Sequence, residues 1–277
     1  MKLTEAVRGR FGRWLFCALL ALVALTGISG CASGPGGAAG GGGKDQVTDS
    51  DEPEIRKRAR TRLELATGYF EQGKMTFALD EVKQALVIDP SFADAYNVRG
   101  LIYMRLNDMG LAEESFRRAV ALNPRDANAL HNYGWLMCQQ ARYPEAVDAF
   151  TKVLANPTYG ERAKTWMTQG LCQIKAGKRA EAEVSLGKAF ELDAGNPITG
   201  YNLATLLYQR GEFSRALFYI RRLNNSQLAN AETLWLGIKV ERRLGNRVAA
   251  QQLAGQLKKL YPKSHEFDLF ERGAFNE

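Results

Sequence analysis

The sequence predicts an all-α protein: a right-handed superhelix of about six stacked helix pairs with a C-terminal cap, preceded by an N-terminal signal and a flexible linker. Three observations predict it. From Ile55 onward apolar residues recur at three- and four-residue spacing, with almost no β-branched runs. A pattern then repeats every 34 residues, since Tyr69, Ala78, Ala85 and Pro90 return as Tyr103, Ala112, Ala119 and Pro124, and Gly100 as Gly134. Small residues and prolines hold fixed places within that period, as packing and helix termination require.

Residues 1–30 have the anatomy of an export signal. Lys2, Arg8, Arg10 and Arg13 make a positive start, and Leu15 to Leu25 is an apolar run too short to span a bilayer. Ile28-Ser29-Gly30-Cys31 follows, and an aliphatic and two small residues before a cysteine resemble a bacterial lipobox. That resemblance implies cleavage before Cys31 and covalent lipid on it, the only prosthetic group expected. An ordinary signal with an incidental cysteine is the alternative. Ala32 stands where an inner-membrane address has Asp, so the resemblance implies lipid anchoring at the outer membrane, on its periplasmic face.

Residues 31–54 make up the lipidated terminus and a Gly-rich linker without large apolar side chains, which cannot bury enough surface to offset ordering. The net charge of +7 overstates the working protein: residues 1–30 hold four basic and one acidic residue, leaving 33 basic and 29 acidic. These are interspersed, whereas nucleic-acid binding calls for a clustered basic patch. No nucleic-acid partner is expected.

Residues 55–277 hold the repeats, starting near 59, 93, 127, 163, 197 and 230. They resemble the tetratricopeptide repeat, a helix pair of about 34 residues. Small residues at the eighth place (Gly100, Gly134, Gly170, Ala204, Gly237) and the twentieth (Ala78, Ala112, Ala146, Ala182, Ala216, Ala249) let the helices of a pair approach. Pro90, Pro124, Pro157, Pro197 and Pro262 are read as stops after second helices. Ser264 to Glu277, with Phe267, Leu269 and Phe270, is expected to cap the sixth pair.

Stacked pairs of this kind enclose a concave groove. In the repeat the second, fifth, ninth, twelfth and thirteenth places of each first helix face it. Candidate groove residues are therefore Asn97, Leu101 and Met104; His131, Trp135 and Gln139; Met167 and Leu171; Tyr201 and Tyr208. An apolar hollow edged by amides and a few charges suits a helix or an extended peptide, with aromatic anchors. Met and Leu at this spacing also suit a core, and His131 suits a neutral surface position equally well.

Cys17 lies in the signal, so Cys138 and Cys172 remain as an even pair in an exported chain, a disulfide candidate. They sit on first helices of adjacent units, 8–10 Å apart by roughly the usual axis spacing. They are also 34 residues apart where the local repeat step is 36. Two small buried hydrophobes are the other reading. The only histidines, His131 and His265, are far apart, and no HExxH, nucleophile elbow, phosphate loop or CxxC occurs. Neither an enzyme, nor a metal site, nor a small-molecule substrate is expected.

Three segments carry a closer resemblance: His131 to Ala146, Leu234 to Asn246 and Gln256 to Phe267. With the lipobox and six repeats they are similar to the PilF/PilW pilotin family of type IV pilus lipoproteins. The resemblance implies a non-enzymatic scaffold that binds the secretin subunit and promotes its outer-membrane localisation or multimerisation, hence piliation and twitching motility. The alternative is another periplasmic repeat adaptor, serving β-barrel assembly or cell-wall enzymes.

Overall fold

In the computed structural model the described residues are 52–275; the expected signal (1–30), the lipidation site Cys31 and the linker as far as Asp51 lie outside them. The described residues contain thirteen helices and no strand. Twelve form six pairs: α1 (Glu54–Glu71) with α2 (Met75–Ile88), α3 (Ala93–Arg105) with α4 (Met109–Leu122), and α5 (Ala127–Gln139) with α6 (Tyr143–Leu154). Then come α7 (Arg162–Lys175) with α8 (Arg179–Leu192), α9 (Pro197–Gln209) with α10 (Phe213–Asn224), and α11 (Ala231–Arg243) with α12 (Arg247–Leu260). The short α13 (His265–Glu271) closes the stack.

Each pair turns on one residue in the left-handed region: Gly73, Asn107, Ala141, Gly177, Gly211 and Gly245. The next N–H reaches back five residues, as from Lys74 to the Tyr69 carbonyl and from Arg142 to that of Met137, both at 2.9 Å. This 6→1 bond satisfies a carbonyl that the helix end leaves unpaired. Asp108, Asp126, Asn196, Asn230 and Ser264 cap helix starts with side-chain oxygens. Pro197 departs from the expectation. It is the first residue of α9 rather than the stop of α8, which already ends at Leu192, because a missing N–H costs nothing at a helix start.

Inside each pair a residue on the first helix meets one sixteen positions later on the second. The couples are Ala66 with Val82, Gly100 with Phe116, Gly134 with Phe150, Gly170 with Leu186, Ala204 with Ile220, and Ile238 with Ala254, all buried. In the last couple the large residue has moved to the first helix. Close packing conserves the volume of a couple rather than the identity of either member. This corrects the register of the sixth pair: it starts at Ala231, its small–large place is Ile238 rather than Gly237, and Ala250 is the buried alanine rather than Ala249.

Successive first helices touch one another (α1 to α3, and so on to α11), whereas no two second helices meet among the described residues. The stack is therefore tighter along its first helices, which line the concave side of a superhelix. The cap rests on α11 and α12 through Phe267 and Leu269, both buried.

Candidate functional site

The concave face is built from α3, α5, α7, α9 and α11, and its residues also tie one pair to the next. Asn132 Nδ2 donates to Asn97 Oδ1 at 3.0 Å, linking α5 to α3. Leu101 and Met104 are half-buried against the cluster of Ala112, Phe116 and Leu136. Met167 packs beside Leu186, Leu203 and Leu206, and Leu171 is half-buried. Tyr201 and Tyr208 flank the cluster of Leu207, Leu223 and Leu236. Met and Leu at the groove places thus serve core and surface at once.

The α5–α7 seam carries the densest set of ties. Cys138 and Cys172 are joined in a disulfide with Cα atoms 5.8 Å apart, both buried. The unequal repeat step does not prevent this, because the pair crosses between the twelfth place of α5 and the tenth of the next unit, which face each other. Trp135 is half-buried, with Lys175 Nζ 5.2 Å from its ring centre. The same ammonium donates to Gln139 Oε1 at 2.9 Å.

His131 does not line the groove. It is 5% exposed, its Nδ1 is 2.9 Å from Thr165 Oγ1 on α7, and its ring lies 5.7 Å from that of Phe150. Burial, then the Lys164 charge, pushes its pKa down to about 4, so it is neutral. The fifth place of α5 is shut by the neighbouring helix. Sequence spacing gives a direction on one helix but not the distance to the next.

Correcting the register adds two residues to the groove. Lys239 and Arg242 take the ninth and twelfth places of α11, while Trp235 at the fifth is 5% exposed and, like His131, is shut in by the helix that follows. Lys239 lies 5.3 Å from the Trp235 ring and 5.6 Å from that of Tyr208, and desolvation pushes its pKa down. The signal that finds them is the spacing of 34 from Ala216 to Ala250. A cavity of about 790 Å³ beside Tyr96, Arg99, Arg118 and Tyr133 includes second-helix residues and lies away from this face; Arg99 there is engaged by Ser115 and Glu114.

No cluster of three or more His, Cys, Asp or Glu side chains among the described residues could hold a metal ion. No described helix is long and apolar enough to cross a membrane. What the face offers is half-buried rings, aliphatic and thioether surface, and ammonium or guanidinium groups set over the rings, which is the chemistry of polypeptide recognition.

Comparison with known proteins agrees. Tetratricopeptide repeat family descriptions match residues 91–158 and 68–107. The type IV pilus assembly protein PilF of Pseudomonas aeruginosa is 30% identical over 254 residues, 92% of this chain and 97% of the relative. A solved structure of Pseudomonas aeruginosa PilF superposes with a TM-score of 0.72 at 32% identity, covering 79% of this chain and 99% of that one. The crystal structure of PilW, a widely conserved type IV pilus biogenesis factor, gives 0.70 at 30% identity, covering 77% and 98%.

Proposed function

Since the chain belongs to the PilF/PilW family of tetratricopeptide-repeat pilus assembly proteins, we propose that it is a lipid-anchored outer-membrane pilotin for the type IV pilus secretin. The relationship runs the length of the repeat stack, and that is the observation on which this reading rests. Cleavage before Cys31 leaves an acylated cysteine and a Gly-rich tether, on which the repeats stand off the membrane. The concave face holds a segment of the secretin subunit, and the lipid carries the complex to the bilayer where the pore assembles. Oxidation of Cys138 and Cys172 after export fixes the curvature of the groove at its middle. The protein acts as a scaffold and not as an enzyme.

The test is deletion of the gene in its host. Growth stays normal, surface pili are lost, and heat-stable secretin multimers disappear from the membrane fraction on a gel. Normal secretin multimers in the deletion strain would remove the pilotin assignment, and a growth defect would favour an adaptor for β-barrel assembly.

A further inference from the structure

Away from the concave face, the second pair carries a set of side chains that the repeat does not call for. Tyr96 and Arg99 on α3, Arg117 and Arg118 on α4, and Tyr133 on α5 line the cavity of about 790 Å³. Arg99 is engaged within the fold: its Nε donates to Ser115 Oγ at 2.9 Å and its Nη2 to Glu114 Oε1 at 3.0 Å, while the guanidinium lies 4.9 Å from the Tyr96 ring centre. Glu113, the other carboxylate at this seam, accepts from Arg142 Nη1 at 2.7 Å.

Arg117 and Arg118 are both exposed, and neither forms an ion pair with a carboxylate among the described residues. Arg118 has the Tyr96 ring at 5.9 Å, the outer limit of a cation–π contact. The Arg117 charge acts on the Tyr133 phenol, whose pKa burial and then Glu113 raise and Arg142 and Arg117 pull back. The same places hold Leu130, Tyr133, Thr151 and Lys152 in the third pair, and Trp166, Gln169, Gly187 and Lys188 in the fourth. In the fifth they hold Gly200, Leu203, Arg221 and Arg222, with no ring opposite the arginines and Arg221 held by Glu241. Stacking of the pairs therefore does not explain two unpaired guanidiniums beside two rings.

We propose that this cavity is a second docking site that takes an acidic segment of a protein partner. Each guanidinium presents a fork of N–H donors that fits one carboxylate side-on. Successive residues on a helix diverge by about 100°, and Arg118 sits by α3 while Arg117 acts toward α5. The two thus call for separate carboxylates, which a polypeptide bearing several acids supplies and a lone anion does not. The Tyr96 and Tyr133 rings receive the aliphatic parts of the same segment. This site goes beyond the reading of the concave face and stands whatever segment that face holds.

The test titrates the full chain into fluorescently labelled hexaglutamate and reads anisotropy. Saturable binding that weakens as salt is added is expected. Arg117→Ala with Arg118→Ala weakens it about fivefold or more, with helicity and melting temperature unchanged, because neither side chain ties one part of the fold to another. Lys83→Ala with Arg222→Ala removes the same charge from the outer faces of two other pairs and leaves the affinity unchanged, as does Trp135→Ala on the concave face. Absence of saturation up to roughly 1 mM, equal losses in the two double variants, or loss of binding in Trp135→Ala overturns the proposal. A last arm sediments the Cys31→Ala chain with phosphatidylglycerol vesicles. Vesicle binding that needs Arg117 and Arg118, without hexaglutamate binding, assigns the cavity to lipid phosphate and also overturns the proposal.

Discussion

At the scale of single residues, two neighbouring constraints have opposite consequences for adding or removing a methyl group. Ala141 closes its turn at φ 60°, where its five counterparts are four glycines and Asn107. A Cβ in the left-handed region costs about 1–2 kcal/mol, so Ala141→Gly raises stability by about 0.5–1 kcal/mol after the greater freedom of glycine in the unfolded chain is counted. Gly100 is the contrary case: a Cβ there meets the Phe116 ring at 2.6 Å. Gly100→Ala lowers stability by about 1–3 kcal/mol, and Phe116→Leu in the same chain restores part of it. Chemical denaturation of the three variants beside the wild type checks both statements. His131 adds a pH dependence. Its folded pKa of about 4 lies below the ordinary 6.5, so below pH 6.5 the unfolded chain takes up a proton that the folded one refuses. Stability therefore falls as pH drops from 6.5 toward 4, by at most about 3 kcal/mol. The slope over that window is shallower in His131→Gln, measured as unfolding free energy at pH 7, 6 and 5.

At the scale of elements, what joins one pair to the next matters more than what forms a pair. Every pair has its left-handed turn and its small–large couple, but the seams differ. The α5–α7 seam has a covalent link together with the His131–Thr165 and Gln139–Lys175 hydrogen bonds. The α10–α11 seam relies on Glu241, 1% exposed, which accepts from Arg221 Nε at 2.8 Å and from Asn246 Nδ2 at 2.7 Å. Replacing both Cys138 and Cys172 by serine lowers stability by about 2–4 kcal/mol, mostly by releasing the constraint on the unfolded chain. Thermal melts of wild type with and without reductant check the size. Thiol counting on denatured, unreduced mature protein checks the bond itself, and two reactive thiols would mean it is absent.

At the scale of the whole molecule, each pair touches mainly its neighbours, so the stack gains stability pair by pair and needs a closed end. The cap supplies that end through Phe267, Leu269, Phe270 and Phe275, which pack on α11 and α12. On the proposed reading the lipid on Cys31 sets where the repeats are found and not how they fold. Cys31→Ala is therefore expected to keep the helical spectrum and melting temperature of the repeats but to leave the outer-membrane fraction, with loss of secretin multimers. Fractionation followed by immunoblotting checks this; normal multimers in this variant would count against delivery by the lipid.

The stacked architecture was legible in one dimension, because a helix pair of fixed length returns the same residue types at the same interval and small residues mark where helices approach. The groove was half legible. Places on a single helix follow from 3.6 residues per turn, which puts Trp135, Tyr201 and Tyr208 on the face proposed to bind. Whether such a place is open depends on the next helix, and only the tertiary packing decided that His131 is sealed while Lys175 stands over Trp135. The sixth pair shows the limit most sharply. Its glycine at 237 does stand at a close approach, against Leu253 of α12 and Asn224 of α10, but one place before the repeat position, which is filled by Ile238 against Ala254, because packing selects a combined volume and composition alone does not reveal which helix supplies it.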